Sequence, residues 1–171
     1  VVSGAIFGMT MILLYTMSSI YHGLREGMGK RVLQVIDHCT IYSLIAGTYT
    51  PILLSAMRPI DPVSSWILFA IVWSLAIVAI VLTAIDLKRY QAFSMICYIG
   101  IGWAIIFKIP LLVEAVGMDG FWLILAGGVS YTVGAVLYGL GKKHRYVHSV
   151  FHIFVLGGSI LHLLAILFYV L

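Results

Sequence analysis

Long apolar blocks separated by short clusters of charge set the rhythm of this chain. Breaks at charged residues, Pro and Gly leave six apolar stretches at approximately 1–22, 33–55, 64–85, 92–113, 121–140 and 147–170. Each is about 20 residues long, which is what an α-helix rising 1.5 Å per residue needs to cross the roughly 30 Å hydrocarbon core of a bilayer. A transmembrane β-barrel would show ~10-residue segments of alternating polarity, and no such period of two is present. The pattern predicts an all-α integral membrane protein, with the whole of residues 1–171 in one transmembrane helical domain. The chain opens at Val1, without methionine and inside an apolar run. The six visible helices therefore read as part of a seven-helix bundle whose first helix lies upstream.

Composition narrows the class. Hydrophobic residues make up 63% of the chain and charged residues 9%, against roughly 25% charged in soluble domains. A net charge of +4 with a pI near 9.1 would suit a nucleic-acid binder. The basic residues, however, sit in clusters between the apolar blocks, where membrane topology places them. The first, third and fifth connections hold Arg25, Lys30, Arg31; Lys88, Arg89; and Lys142, Lys143, Arg145. The second and fourth hold Arg58 with Asp61, and Glu114 with Asp119; Lys108 lies near the outer end of its span, where it can snorkel to the headgroups. Lys and Arg accumulate on the cytoplasmic side. The first visible helix thus runs from outside to inside and the last from inside to outside. The expected partner is a lipid bilayer, with no nucleic acid.

Other features read as packing. Cys39 and Cys97 fall inside spans and serve as small apolar residues, with no disulfide framework. Gly100, Gly102, Gly127, Gly128, Gly157 and Gly158 are expected to let helices approach closely. Pro51 and Pro110 are expected to kink their helix ends.

The remaining ionisable residues inside spans are costly and each calls for a reason. His22 ends the first visible helix, and Asp37 lies about 9 Å into the second, counting from Arg31. His148 and His152 lie roughly 5 and 10 Å into the last, counting from Arg145. Alternating topology brings all four to a similar depth beneath the cytoplasmic face. An i, i+4 histidine pair shares one helix face, either packing there or holding a metal. A third histidine and a nearby acid shift the balance to metal, because three neutral imidazoles with one open position form the pattern of catalytic zinc sites. Asp37 is then either a direct ligand or a group hydrogen-bonded to the metal's water, able to take its proton. Ser18 shares a face with His22 and either orients that water, stabilises an oxyanion, or bonds back to its own helix. His38 is expected to pack or hydrogen-bond, His144 to be solvated, and His162, some 15 Å deeper than His152, to lie too far to share the ion.

The segments "SSIYH" (18–22), "VIDHCTIYSLIAGTYTP" (35–51) and "HSVFH" (148–152) resemble the hemolysin III family, the bacterial branch of the progestin and adipoQ receptor family. The family pattern is S-x3-H closing the second helix, Asp early in the third and H-x3-H opening the seventh. The resemblance implies seven helices in a bacterial inner (plasma) membrane, with the first visible span standing as the second. It implies Zn²⁺ held near the cytoplasmic face by His22, His148 and His152, with Asp37 reached through a water and Ser18 as a catalytic neighbour. It also implies a ceramidase-like substrate, an amide of a lipid. Two other classes stay open: a pore-forming, cytolytic protein, and a receptor in which zinc is structural. A monomeric pore needs polar residues along its length, and the spans at 64–85 and 121–140 have few beyond Ser, Thr and Tyr.

Overall fold

Uninterrupted runs of Leu, Ile, Val, Met and Ala leave the backbone no partner in lipid but itself, so each run closes its own hydrogen bonds as a helix. The computed structural model describes residues 1–140 and 146–171, without the side chains of Leu140 and His148. Helices and short connections make up all of it; no strand occurs among the described residues. The chain divides into two units, Val1–Ala104 and Ile105–Leu171.

The first unit holds α1 (Val2–Gly23), α2 (Met28–Pro51), α3 (Pro62–Ile85) and α4 (Gln91–Gly102). Helix α2 begins five residues before the expected position 33, so Lys30 and Arg31 ride on its first turn instead of in a loop. Pro51 has no N–H to give the carbonyl of Gly47. Beyond it the helix widens into π-helical turns over Ile52–Met57, closed by Arg58 N–H bonding the Leu53 carbonyl at 2.9 Å. Pro51 thus marks the end of the regular α-helix, as expected of its place in the chain. At α3, Asp61 caps the helix by accepting the Ser64 N–H at 3.0 Å, and Pro62 occupies the first turn, where a missing N–H costs nothing.

Helix α2 is the axis of this unit. Against α1, Thr10 meets Gly47 and Ser3 hydrogen-bonds Ser55 at 2.6 Å, an antiparallel pairing. Against α3, Trp73 Nε1 donates to Thr50 Oγ1 at 3.1 Å and the Cys39 thiol points to the Ile80 carbonyl at 3.7 Å, again antiparallel. Against α4, Tyr98 donates to the His38 carbonyl at 3.1 Å and Tyr49 to the Gly102 carbonyl at 2.8 Å. Directions alternate down the chain. Arg25, Lys30, Arg31, Lys88 and Arg89 consequently share one end of the unit, with Arg58 and Asp61 at the other, as the charge pattern requires. Between helices in lipid the gain comes from close packing and interhelical hydrogen bonds worth about 0.6 kcal/mol each. Both cysteines are free thiols.

The second unit holds α5 (Ile109–Leu140) and α6 (Val147–Ala165), the latter extended by π-helical turns over Ile166–Val170. Tyr169 lies beside Gly120, Phe154 beside Gly134, and the Tyr138 and Phe151 rings are 5.1 Å apart. The two helices are therefore antiparallel.

The span count differs from the six expected. Among the described residues five helical segments are long and apolar enough to cross a membrane, one of them the 49-residue run Gln91–Gly139. Straight, that run would be about 74 Å long, more than twice the bilayer core. It is broken twice. Regular helix stops at Trp103 and gives way to 3₁₀ turns over Ala104–Lys108, and Gly117 adopts φ 70°, ψ 173° inside α5. The expected helices 92–113 and 121–140 are separated at Gly117, inside the expected gap, and the first of them is interrupted by the 3₁₀ turns. Pro110 sits in the first turn of α5, directly after the 3₁₀ turns over Ala104–Lys108 that interrupt the helix. A methyl group added at Gly100, Gly102 or Gly128 would meet nothing within 4 Å among the described residues, whereas one at Gly127 or Gly158 would meet the facing helix.

Surface composition completes the picture. On α3, Val63, Ile67, Ile77 and Ile85 are each more than half exposed. A solvated helix would not present such a face, and lipid accepts it without cost.

Candidate functional site

Three of the expected site residues lie in the first unit. His22 occupies the last turn of α1, exposed, with its ring 4.6 Å from that of Tyr21. Ser18 stands one turn earlier and is half-buried. Asp37 is the tenth residue of α2, about 13 Å along the axis from Met28. It is only 9% exposed. So deep into the helix the macrodipole no longer explains an acid. A buried carboxylate in a span instead needs a compensating cation or donors close by.

The corner between α1 and α2 carries contacts that sequence reasoning missed. Lys30 reaches Glu26 at 3.1 Å and lies 5.7 Å from the centroid of the Tyr21 ring, which in turn packs on His22. A lysine side chain of this length can cover an aromatic face while its ammonium stays wet. The corner behind His22 is thereby braced. The signal available was an aromatic residue directly before the histidine, with a basic first turn following.

Neighbours of Asp37 are tied into backbone bonds. Thr40 Oγ1 donates to the Asp37 carbonyl at 2.7 Å, and His38 Nδ1 bonds the Gln34 carbonyl at 2.8 Å. His38 takes the hydrogen-bonding role expected of it.

In the second unit, His152 is half-buried in the second turn of α6, its ring 5.1 Å from Phe151. His148 is the second residue of the same helix, and its side chain lies outside the described residues, as does all of His144. His162 is buried against α5, with Nε2 donating to the Ile124 carbonyl at 3.0 Å.

Zinc is the metal that the motifs imply, and the donor set can be tested against it. His22, His148 and His152 are imidazoles, and Asp37 is an acid held out of water on the wall of a span. Neutral imidazoles with a buried carboxylate suit Zn²⁺ and disfavour the hard, oxygen-seeking cations. The chemistry fits. Among the described residues no three His, Cys, Asp or Glu side chains gather closely enough to hold an ion, a set from which His148 is missing.

Alternating apolar helices, cation-rich at one end and lipid-compatible outside, define an integral membrane protein of the all-α class. The sequence model described as "Haemolysin-III related" matches residues 1–163, and the chain belongs to that family. It is 42% identical to Hemolysin-3 of Bacillus cereus over 171 residues, covering 100% of this chain and 76% of that protein. It is 40% identical to the Hemolysin-3 homolog of Bacillus subtilis (strain 168) over 169 residues, covering 99% and 78%. The monocyte to macrophage differentiation factor of Homo sapiens is a more distant relative within the progestin and adipoQ receptor family, 25% identical over 169 residues and covering 94% and 67%.

Proposed function

We propose that this chain is a membrane-embedded, zinc-dependent hydrolase that cleaves a lipid amide from the cytoplasmic side of a bacterial plasma membrane. The observation that carries the reading is Asp37, an acid only 9% exposed and placed within a bilayer-crossing helix. Such a group is costly where it serves only packing.

His22, His148 and His152 would hold the ion. Zinc, when bound, supplies a water acidic enough to attack near neutral pH and polarises a carbonyl oxygen. Asp37 takes the proton released by the attacking water and returns it to the departing amine. Ser18 offers its hydroxyl to the oxygen on which negative charge develops. The apolar faces of α1 and α3 hold an acyl chain as readily as they hold bilayer lipid, so an amphiphile's head can approach while its tail stays in hydrocarbon. The amide class rests on the family resemblance, and the metal-assisted hydrolysis on the residue types.

The test uses protein purified in lipid nanodiscs, with zinc measured by mass spectrometry and turnover of a long-chain N-acyl amide followed. Asp37→Asn should keep zinc and lose at least a hundredfold in rate. Zinc without turnover in the unaltered protein would point to a structural metal and sink the hydrolase reading. Vesicle leakage that survives loss of His148 would point to the pore that the relatives' name suggests.

A further inference from the structure

His162 has no part in the hydrolytic reading, yet it is the most deeply committed histidine of the second unit. It lies ten residues beyond His152 on α6, about 15 Å along the axis. Its Nε2 donates to the Ile124 carbonyl on α5, which fixes the tautomer and leaves Nδ1 as a bare acceptor. That Nδ1 is buried with no hydrogen-bond partner among the described residues. A leucine would fill the same space in lipid without a stranded polar atom, so filling space does not explain the choice.

The surroundings explain it. The ring lies directly against Gly127, where a single added methyl would collide with Cδ2 and Nε2. Tyr131 meets it edge-on, with centroids 5.2 Å apart, and the Tyr131 hydroxyl bonds Ser159 Oγ at 2.7 Å. One turn further along, Ser130 Oγ donates to the Phe154 carbonyl at 2.7 Å. At Gly120, Gly134 and Tyr138 the contacts between α5 and α6 are glycine and aromatic packing, which lacks direction. A directional bond through a ring seated in a glycine notch does not slide.

We infer that His162 is a positioning residue: with the Tyr131–Ser159 and Ser130–Phe154 bonds beside it, its bond to Ile124 across the Gly127 notch sets the register of α6 on α5, and so the depth at which α6 carries His148 and His152. A slip of one helical turn would displace those two positions by about 5.4 Å, more than twice a zinc–nitrogen bond of about 2.0–2.1 Å. The register claim stands by itself. Its consequence for the metal rests on the reading of His148 and His152 as ligands.

The experiment reads register directly. A methyl carbon built at Gly134 falls 3.3 Å from Phe154 Cβ, close to the separation of about 3.5–4.5 Å that a disulfide spans. Gly134→Cys with Phe154→Cys, in a chain carrying Cys39→Ala and Cys97→Ala, should cross-link rapidly in nanodiscs. His162→Leu should slow cross-linking at least tenfold, Gly127→Ala should do the same, and His162→Gln should restore it, because its amide nitrogen reaches the Nε2 position. Equal cross-linking in all four backgrounds overturns the inference. So does slowing in His162→Gln equal to that in His162→Leu. The ligand-field spectrum of bound Co²⁺ is recorded in parallel. A band present in the unaltered protein, altered by His162→Leu and recovered by His162→Gln, extends the effect to the metal. Absence of any band in the unaltered protein sinks the metal reading and leaves the cross-linking result to decide the register.

Discussion

Thr10 on α1 fills the space above Gly47 on α2 so closely that a methyl group at position 47 would coincide with its hydroxyl. Thr10 is held there by its own bond to the Phe7 carbonyl at 2.9 Å. Gly47→Ala must therefore part the two helices. The expected loss is about 1–3 kcal/mol, the usual cost of overpacking. Thr10→Ala in the same chain should recover part of it, which denaturant titration in mixed micelles would measure. A stable Gly47→Ala protein would refute the contact.

The bond from Trp73 to Thr50 ties α3 to α2 one residue before Pro51. Trp73→Phe removes the donor and leaves Thr50 its bond to the Ala46 carbonyl at 2.8 Å. The expected cost is about 0.6 kcal/mol, the average for interhelical bonds in membranes. Thr50→Val should cost less on the Trp73→Phe background than on the unaltered one, by about the same 0.6 kcal/mol, a coupling that a double-mutant cycle would reveal.

Orientation can be checked without any assumption about chemistry. On a background with Cys39 and Cys97 replaced by Ala, Arg89→Cys should react with an impermeant thiol reagent only from the cytoplasmic side. Arg58→Cys should react only from outside. Labelling of both from one side would contradict the alternation of α1 to α4.

Metal removal separates the chemical readings. Prolonged chelation should abolish amide turnover, lower the unfolding temperature, and be reversed by added zinc, because a metal bound only by the folded state stabilises it. A chelated protein that loses thermal stability while the zinc-loaded protein never turned substrate over would assign the metal a structural role.

The depth of one candidate residue was legible in the sequence: Asp37 was placed about 9 Å into its helix, and it is the tenth residue of α2, buried. The bracing of His22 by Tyr21 and Lys30 was not legible. It depends on α2 starting at Met28, five residues earlier than hydropathy indicated, because Lys30 and Arg31 could ride a helix end at the interface instead of ending it.

Hydropathy and the placement of Lys and Arg determined that this chain is helical, that it is a membrane protein and which charges gather at one end, because a bilayer acts on every residue according to depth alone. The sequence also showed which spans carry glycines. Only the tertiary structure decided at which glycines a side chain is excluded: an added methyl would collide with the facing helix at Gly47, Gly127 and Gly158, and would meet nothing within 4 Å among the described residues at Gly100, Gly102 and Gly128. It likewise decided which residue of the expected gap between 113 and 121 turns the chain, Gly117, where φ is 70°. The physical reason is the same in each case. A glycine's sequence position records that a side chain is absent, while the use made of that absence, a contact or a turn, depends on what lies across from it.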